Sequence, residues 1–423
     1  MPTHDKQPRA DAAVAAATAT SASPAAARLP RNVRVLGFAS LVNDIASEMV
    51  YPLLPRFFAE VLGGNARTLG LMEGLAETVA SLLKLGTGAL SDRMSSRKTW
   101  VVSGYALAAV VKPLGGLAVW PAQLAAVRVA DRIGKGIRGA PRDALLVDSV
   151  EPERRGRAFA FQRAMDHLGA AIGPLLAALF LWQWPQALRP LFLLTLLPGL
   201  VVVLLVTLGL SESKRARSAR SPSPPARPFP RDWGGLRQFR GSFWLYLGAV
   251  VLFTLANASD TFLLLRAGEL GVAGWRIPLL WCLFHVAKSA GSIAMGPAID
   301  RYGGRAPVIV GWIIYAVVYL AFAGASTAWH VWLLFFCYAI FYALTEPAER
   351  ALVAQFAPAE RRGLAFGWFH LATGVANLPA NVLFGFIYAG YGPLAAFGTA
   401  AGFALAASCV LSLTRIPRIT AAE

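Results

Sequence analysis

Gly88 to Lys98 read GALSDRMSSRK, and Gly296 to Arg305 read GPAIDRYGGR. Each stretch has a glycine, three further residues, an Asp-Arg pair and then more cations. A second pair of segments repeats in the same way: ERRGRAFAF begins at Glu153 and ERRGLAFGW at Glu360. The offset from Asp92 to Asp300 differs by one position from that between Glu153 and Glu360. Two independent matches at nearly one spacing indicate a chain built from two copies of one unit.

The residues around these segments say what the unit is made of. Of 423 residues, 56% are hydrophobic and 15% charged, and the mean hydropathy is +0.52. A soluble domain carries about 25% charged residues. Apolar spans fall at 35–62, 69–91, 99–119, 121–148, 158–182, 188–210, 242–265, 275–299, 306–325, 329–354, 363–388 and 392–413. A bilayer crossing needs about 20 such residues. The expected fold is an all-α membrane protein, with twelve transmembrane helices in two pseudo-symmetric six-helix bundles at 33–210 and 242–415. A polar linker with eight cations and several prolines covers 211–241. Residues 1–32 are rich in Ala, Ser, Thr and Pro, and Asp11 interrupts any apolar run. They read as a disordered cytoplasmic tail rather than a targeting peptide, with 416–423 as a second tail.

The net charge of +17 would suggest nucleic acid as a partner of a soluble chain. Here its position matters more. The segments on the amino-terminal side of the bilayer hold Arg93, Arg97, Lys98, Arg154, Arg155, Arg157, the linker cations, Arg301, Arg305, Arg361 and Arg362. The other side holds only Arg56, Arg67, Arg189, Arg266 and Arg276. Positive residues stay inside, so both termini are expected in the cytoplasm, across a plasma (inner) membrane, with no nucleic-acid partner. Cys282, Cys337 and Cys409 sit apart in apolar runs and form neither a disulfide framework nor a metal motif.

On these residues the chain resembles the major facilitator superfamily, over roughly residues 33 to 415. Gly88, Asp92, Arg93, Arg97 and Lys98 match that family's G-x-x-x-D-R-x-x-R-K loop, and Arg132 with Gly136 approximates its R-x-x-x-G element. Gly169, Gly173 and Pro174 follow the G-x-x-x-G-P pattern associated with antiporters, with Ala177 and Ala178 where that pattern has glycine. SLVNDIASEMVYPLLP and DRIGKGIRGAPRDAL are similar to a prokaryotic drug-exporter-like group. The resemblance implies a secondary transporter with alternating access. Asp92 and Arg93 stand at the inner end of the second span, where Asp92 can cap a helix terminus or pair with a cation across the halves, so Gly88, Asp92, Arg93, Arg97, Asp300 and Arg301 are gating candidates.

Ionisable side chains inside the spans are costly and need a partner or a wet cavity. In the fourth span Arg128, Asp131, Arg132, Lys135, Arg138, Arg142 and Asp143 wind into an arc of roughly 140°. Glu73, Glu77 and Lys84 in the second span wind to within about 40° of one another. Asp44 and Glu48 share a face of the first. The fifth adds Arg163, Asp166 and His167. A buried network of paired acids and bases follows, with Asp44, Glu48, Glu77, Arg132 and Asp166 as proton-coupling candidates. Asp131, flanked by cations, is a weaker one. In the second half Asn257, Asp260, His285, Lys288, Tyr342 and Glu346 are candidates for a substrate cavity, near Trp281, Phe335, Tyr338 and Trp368.

Gly134, Gly136 and Gly139 spell G-x-G-x-x-G, but no strand precedes them and no phosphate-binding loop surrounds Lys135. No cofactor, ATP-driven step or metal is indicated. Five histidines without a hydrolase or metalloprotease motif weigh against an intramembrane enzyme, and low-complexity tails weigh against a sensor. The remaining expectation is proton-coupled export of a drug or metabolite by a monomer, with uptake by symport as the alternative.

Overall fold

The computed structural model describes residues 29–93, 96–151, 154–211, 239, 241–356 and 362–414. Residues 1–28 and 416–423 of the predicted tails and nearly all of the linker lie outside these residues, whereas Arg31 and Asn32, placed in the tail by the sequence reading, already belong to the first helix. Among the described residues all regular structure is helical: α1 (Arg31–Val50), α2 (Leu54–Arg56), α3 (Ala66–Arg93), α4 (Arg97–Leu114), α5 (Pro121–Asp148), α6 (Arg155–Gln183), α7 (Leu188–Leu194), α8 (Leu196–Gly209), α9 (Gly241–Ala256), α10 (Thr261–Glu269), α11 (Arg276–Tyr302), α12 (Arg305–Gly324), α13 (Ala328–Phe356) and α14 (Arg362–Leu413).

Eight stretches among them are long and apolar enough to cross a membrane. They cover every predicted span except the first, second and fourth, and the last two spans share the stretch Ala365–Leu413. The three exceptions, α1, α3 and α5, have the length but carry ionisable side chains along it. Those are the helices that hold the polar network.

The helices break where the local sequence cannot supply backbone hydrogen bonds. After α1 the chain runs through a 3-10 turn, α2 and a π turn (Phe57–Val61), because Pro52 and Pro55 have no amide to donate. The seventh predicted span, 242–265, is not one helix. It stops at Ala256 and resumes at Thr261, across Asn257, Ala258, Ser259 and Asp260. Short polar side chains there compete for the backbone, and Ser259 Oγ accepts from the Thr261 amide. The sixth span is interrupted at Thr195, whose hydroxyl donates to the Phe192 carbonyl at 2.6 Å. Spans eleven and twelve meet at Gly392, whose φ of 83° only glycine adopts freely. Gly63 and Gly271 turn the chain with φ of 70° and 83°, and their offset is that of Asp92 and Asp300.

The packing repeats as the sequence does. α1 lies on α6 and α8, and α5 on α3 and α4; correspondingly α9 lies on α14, and α13 on α11 and α12. The two sets touch through α3 against α14 and α6 against α11. The α3–α14 seam is made of small residues. A Cβ on Gly70 would fall 2.2 Å from the Asn381 carbonyl oxygen, and one on Gly385 would fall 2.4 Å from that of Ala66. Thr78 Oγ1 donates to the Gly374 carbonyl across the same seam. Close backbone approach through small residues is how helices associate where lipid offers no hydrophobic drive.

One apolar core runs from Met49–Met72 of the first half into the second, through Phe57, Phe253, Trp312 and Tyr338. A separate cluster, with Val33, Leu36, Tyr105, Leu146 and Val206, contains first-half residues only. The halves are therefore joined at the end that carries the turns at Gly63 and Gly271. Leu179, Trp182, Leu204, Leu208 and Val317 are exposed on the outer faces, as a lipid-facing surface requires.

Candidate functional site

A cavity of about 130 Å³ lies between α1, α4 and α5. Asp44, Ser47, Glu48 and Tyr51 enter it from α1 and the turn after it, Lys112 from α4, and Arg128, Asp131, Arg132, Lys135 and Arg138 from α5. Spacings of three and four bring each set to one side of its helix. Glycines set the helices close enough for the side chains to meet. Gly134 lets α5 approach α4, where an added Cβ would lie 2.8 Å from the Gly104 carbonyl oxygen. Gly136 does the same towards α3, at 2.7 Å from Leu83 Cβ. The G-x-G-x-x-G string is thus a packing element. So is the glycine pair of α6: Cβ atoms on Gly169 and Gly173 would each fall 2.6 Å from a carbonyl oxygen of α1, those of Leu41 and Ile45. That contact backs the turn of α1 that presents Asp44 and Glu48.

Three ion pairs cross the network. Arg128 donates from Nε to Glu73 Oε1 at 2.8 Å and from its second amino group to Oε2 at 3.0 Å, with both side chains buried. Its guanidinium also lies 5.0 Å from the ring centre of Tyr51. Arg132 pairs with Glu77 at 2.9 Å. Lys112 lies 3.8 Å from Asp131 and donates to Ser47 Oγ at 2.6 Å. A planar fork meeting a carboxylate at two points offsets much of the cost of burying both charges.

Four more charges have no partner of opposite sign within salt-bridge distance among the described residues. Glu48 accepts from the Trp281 indole at 2.8 Å, and Asp44 from the Asn43 amide at 3.0 Å. Arg138 reaches only the Gly104 and Asn43 oxygens, each at 3.4 Å, and lies 4.6 Å over the Tyr105 ring. Lys135 makes no hydrogen bond or ion pair among the described residues. Two acids and two cations are therefore held by neutral groups or by space.

Among the described residues the network reaches the second half through Ser259 and Trp281. Ser259, in the break between α9 and α10, donates to Glu73 Oε2 at 3.1 Å, and its amide donates to Asn381 Oδ1 at 2.8 Å. Trp281, on α11, carries the contact to Glu48. Glu73 was legible only as one of a stripe of charges, and Ser259 and Asn381 carried no signal in the sequence at all.

Asp166 stands outside this cavity, with Oδ1 buried and without a hydrogen-bond partner among the described residues. Arg97 is ion-paired to Asp148 within the first half. Gly88, Asp92 and Arg93 fall on α3 and Asp300 and Arg301 on α11, with their side-chain surroundings outside what the structure describes. In the second half Asp260 accepts from the Tyr338 and Tyr342 hydroxyls at 2.7 and 3.4 Å. Lys288 pairs with Glu346 at 3.1 Å and lies 4.1 Å over the Tyr342 ring. Asn257 Oδ1 and His285 Nε2 are buried without partners among the described residues. Tyr342 links Asp260 to Lys288, beside the buried rings of Tyr315, Tyr319, Phe335 and Tyr338, and none of the six candidates lines the cavity above.

The model of the Major Facilitator Superfamily matches residues 36–281 and 267–422. The chain belongs to that superfamily. An MFS-type transporter of Methanocaldococcus jannaschii, itself uncharacterised, is 33% identical over 85% of this chain and 89% of its own. The multidrug resistance protein MdtH of Salmonella newport is 24% identical over 78% of this chain and 79% of its own. Among solved structures, the nucleoside transporter NupG superposes with a TM-score of 0.76 at 12% identity, covering 90% of this chain and 98% of that one. The human organic anion transporter MFSD10 superposes at 0.61 with 19% identity, over 90% and 99%. The protein is a membrane transporter, and not an enzyme.

Proposed function

We propose that the protein is a proton-coupled secondary transporter of a small molecule, with twelve crossings in two six-helix bundles, both termini cytoplasmic, and a plasma (inner) membrane location. The observation that carries this reading is the pair Asp44 and Glu48. They are two carboxylates on one turn of α1, at a cavity, held by neutral donors while the neighbouring acids are locked to cations. A carboxylate with no cation against it loses little by taking a proton, and Glu48 touches the other half through Trp281. Its protonation state is therefore coupled to whether the halves are joined at this end. The segments around Asp92 and Asp300, with Arg93, Arg97 and Arg301, serve as the opposing gate.

Export in exchange for protons is supported by the Gly169–Pro174 pattern and by the likeness to MdtH. Uptake with protons is the second reading, and Lys135 and Arg138 favour it, because cations free of carboxylates suit a substrate that binds alongside a proton rather than in place of one. In liposomes holding the purified protein, an imposed proton gradient is expected to drive substrate uphill, and Glu48→Gln or Asp44→Asn to abolish that drive. Flux indifferent to the gradient, or full activity in both variants, sinks the proposal.

A further inference from the structure

The cavity's charge and size bear on what it carries. Its wall presents five cations, Lys112, Arg128, Arg132, Lys135 and Arg138, against three acids, Asp44, Glu48 and Asp131. Glu73 and Glu77 balance two of the cations from behind the wall. Once Asp44 and Glu48 hold protons, Lys135 and Arg138 are left as two uncompensated positive charges facing the space. A cationic ligand would have to displace them. A neutral one would leave them buried without a counter-charge.

The geometry points to a small organic anion, a carboxylate or phosphate monoester, held between Lys135 and Arg138 and entering together with protons on Asp44 and Glu48. The volume sets the scale. An apolar cavity of roughly 150 Å³ takes one benzene, so about 130 Å³ admits a skeleton of that order and excludes bulky amphipathic drugs from this conformation. Arg138 supplies a planar donor fork that matches carboxylate and phosphate oxygens, and Lys135 a point charge from the next turn of α5. Ser47 Oγ accepts from Lys112, so its own proton is free to donate to an anion oxygen.

The proton part of this inference rests on the second reading above, uptake with protons, and the anion part does not. The test separates them by measuring binding at equilibrium, with no gradient, on full-length protein in nanodiscs. The probes are three isosteric series offered at up to 10 mM: benzoate, benzamide and benzylamine; propionate, propionamide and propylamine; and phenyl phosphate against phenol. Thermal stabilisation is expected from anionic members only. Lys135→Gln and Arg138→Gln are expected to weaken anion binding at least tenfold, with Lys135→Arg restoring it. Asp44→Asn and Glu48→Gln, which raise the cavity's charge, are expected to tighten it at neutral pH. That gain of affinity cannot come from misfolding. Stabilisation by amides or amines instead, by no anion at all, or weaker anion binding in both acid variants overturns the inference. Anion binding that follows these signs in a protein without proton-driven flux leaves the anion site standing and removes the coupling.

Discussion

Tyr51 and Ser259 share a hydrogen bond of 3.4 Å although they lie 208 positions apart in the chain. That separation is the offset relating Asp92 to Asp300, so the two residues stand at matching positions of the two sequence repeats. Ser259 has one hydroxyl proton and gives it to Glu73, so the Tyr51 hydroxyl is the donor to Ser259. Ser259→Ala removes a bond to a charged acceptor, for which about 1.5–3 kcal/mol is the expected loss. Thermal unfolding of the variant in nanodiscs checks this. A reporter thiol beside the Gly63 turn should become more reactive as the joined end loosens.

The α3–α14 seam predicts a size limit. Gly70→Leu places a side chain where even a Cβ would be 2.2 Å from the Asn381 carbonyl oxygen, so the joined arrangement is blocked rather than weakened. Spin-label distances between the loops at 62–65 and 270–275 are expected to shift to longer values and stay there with or without ligand. Gly248→Ala is the control. Nothing lies within 4 Å of its Cβ, and helix propensity gives a gain of up to about 1 kcal/mol.

The Glu73–Arg128 pair predicts a non-additive result. Removing either partner leaves the other charge buried, at a cost of about 3–5 kcal/mol. Removing both, as Glu73→Gln with Arg128→Gln, avoids that penalty. A double-mutant cycle on thermal unfolding is expected to show the double variant more stable than either single one. Additive losses would mean that water reaches the pair and solvates whichever charge remains.

How far the sequence could be read follows from which contacts are periodic. Seven charges on one face of α5 could be found by winding a helix, and so could the stripe of Glu73 and Glu77. Their pairing with Arg128 and Arg132 then required only that α3 and α5 be neighbours. The break at 257–260 was not legible, because its hydrophobic flanks run on as though the span were continuous. Ser259 and Asn381 matter because the second half folds back onto Glu73, and no local pattern encodes that. The second-half candidates stand out in the sequence by their chemistry alone. They do meet, Asp260 with Tyr338 and Lys288 with Glu346, but away from the cavity: Asp260 is held among buried rings, and the partly exposed Lys288–Glu346 pair lies beside the Tyr342 ring.

Trp281 offers the sharpest separation of coupling from folding. Its indole donates to Glu48 at 2.8 Å, while its ring packs on Phe284 at 5.0 Å and on Tyr51 at 5.5 Å between centres. Trp281→Phe keeps most of the packing and removes only the donor, so a loss of about 1–3 kcal/mol from the joined state is expected, with the fold intact. If proton binding at Glu48 works by releasing this indole, the variant should exchange substrate across the membrane at near wild-type rates with no gradient. It should also accumulate substrate less under a gradient, because the joined state no longer senses the proton. Counterflow and gradient-driven uptake measured on the same liposomes separate the two. Equal losses in both assays would make Trp281 a packing residue and move the link between proton and motion elsewhere.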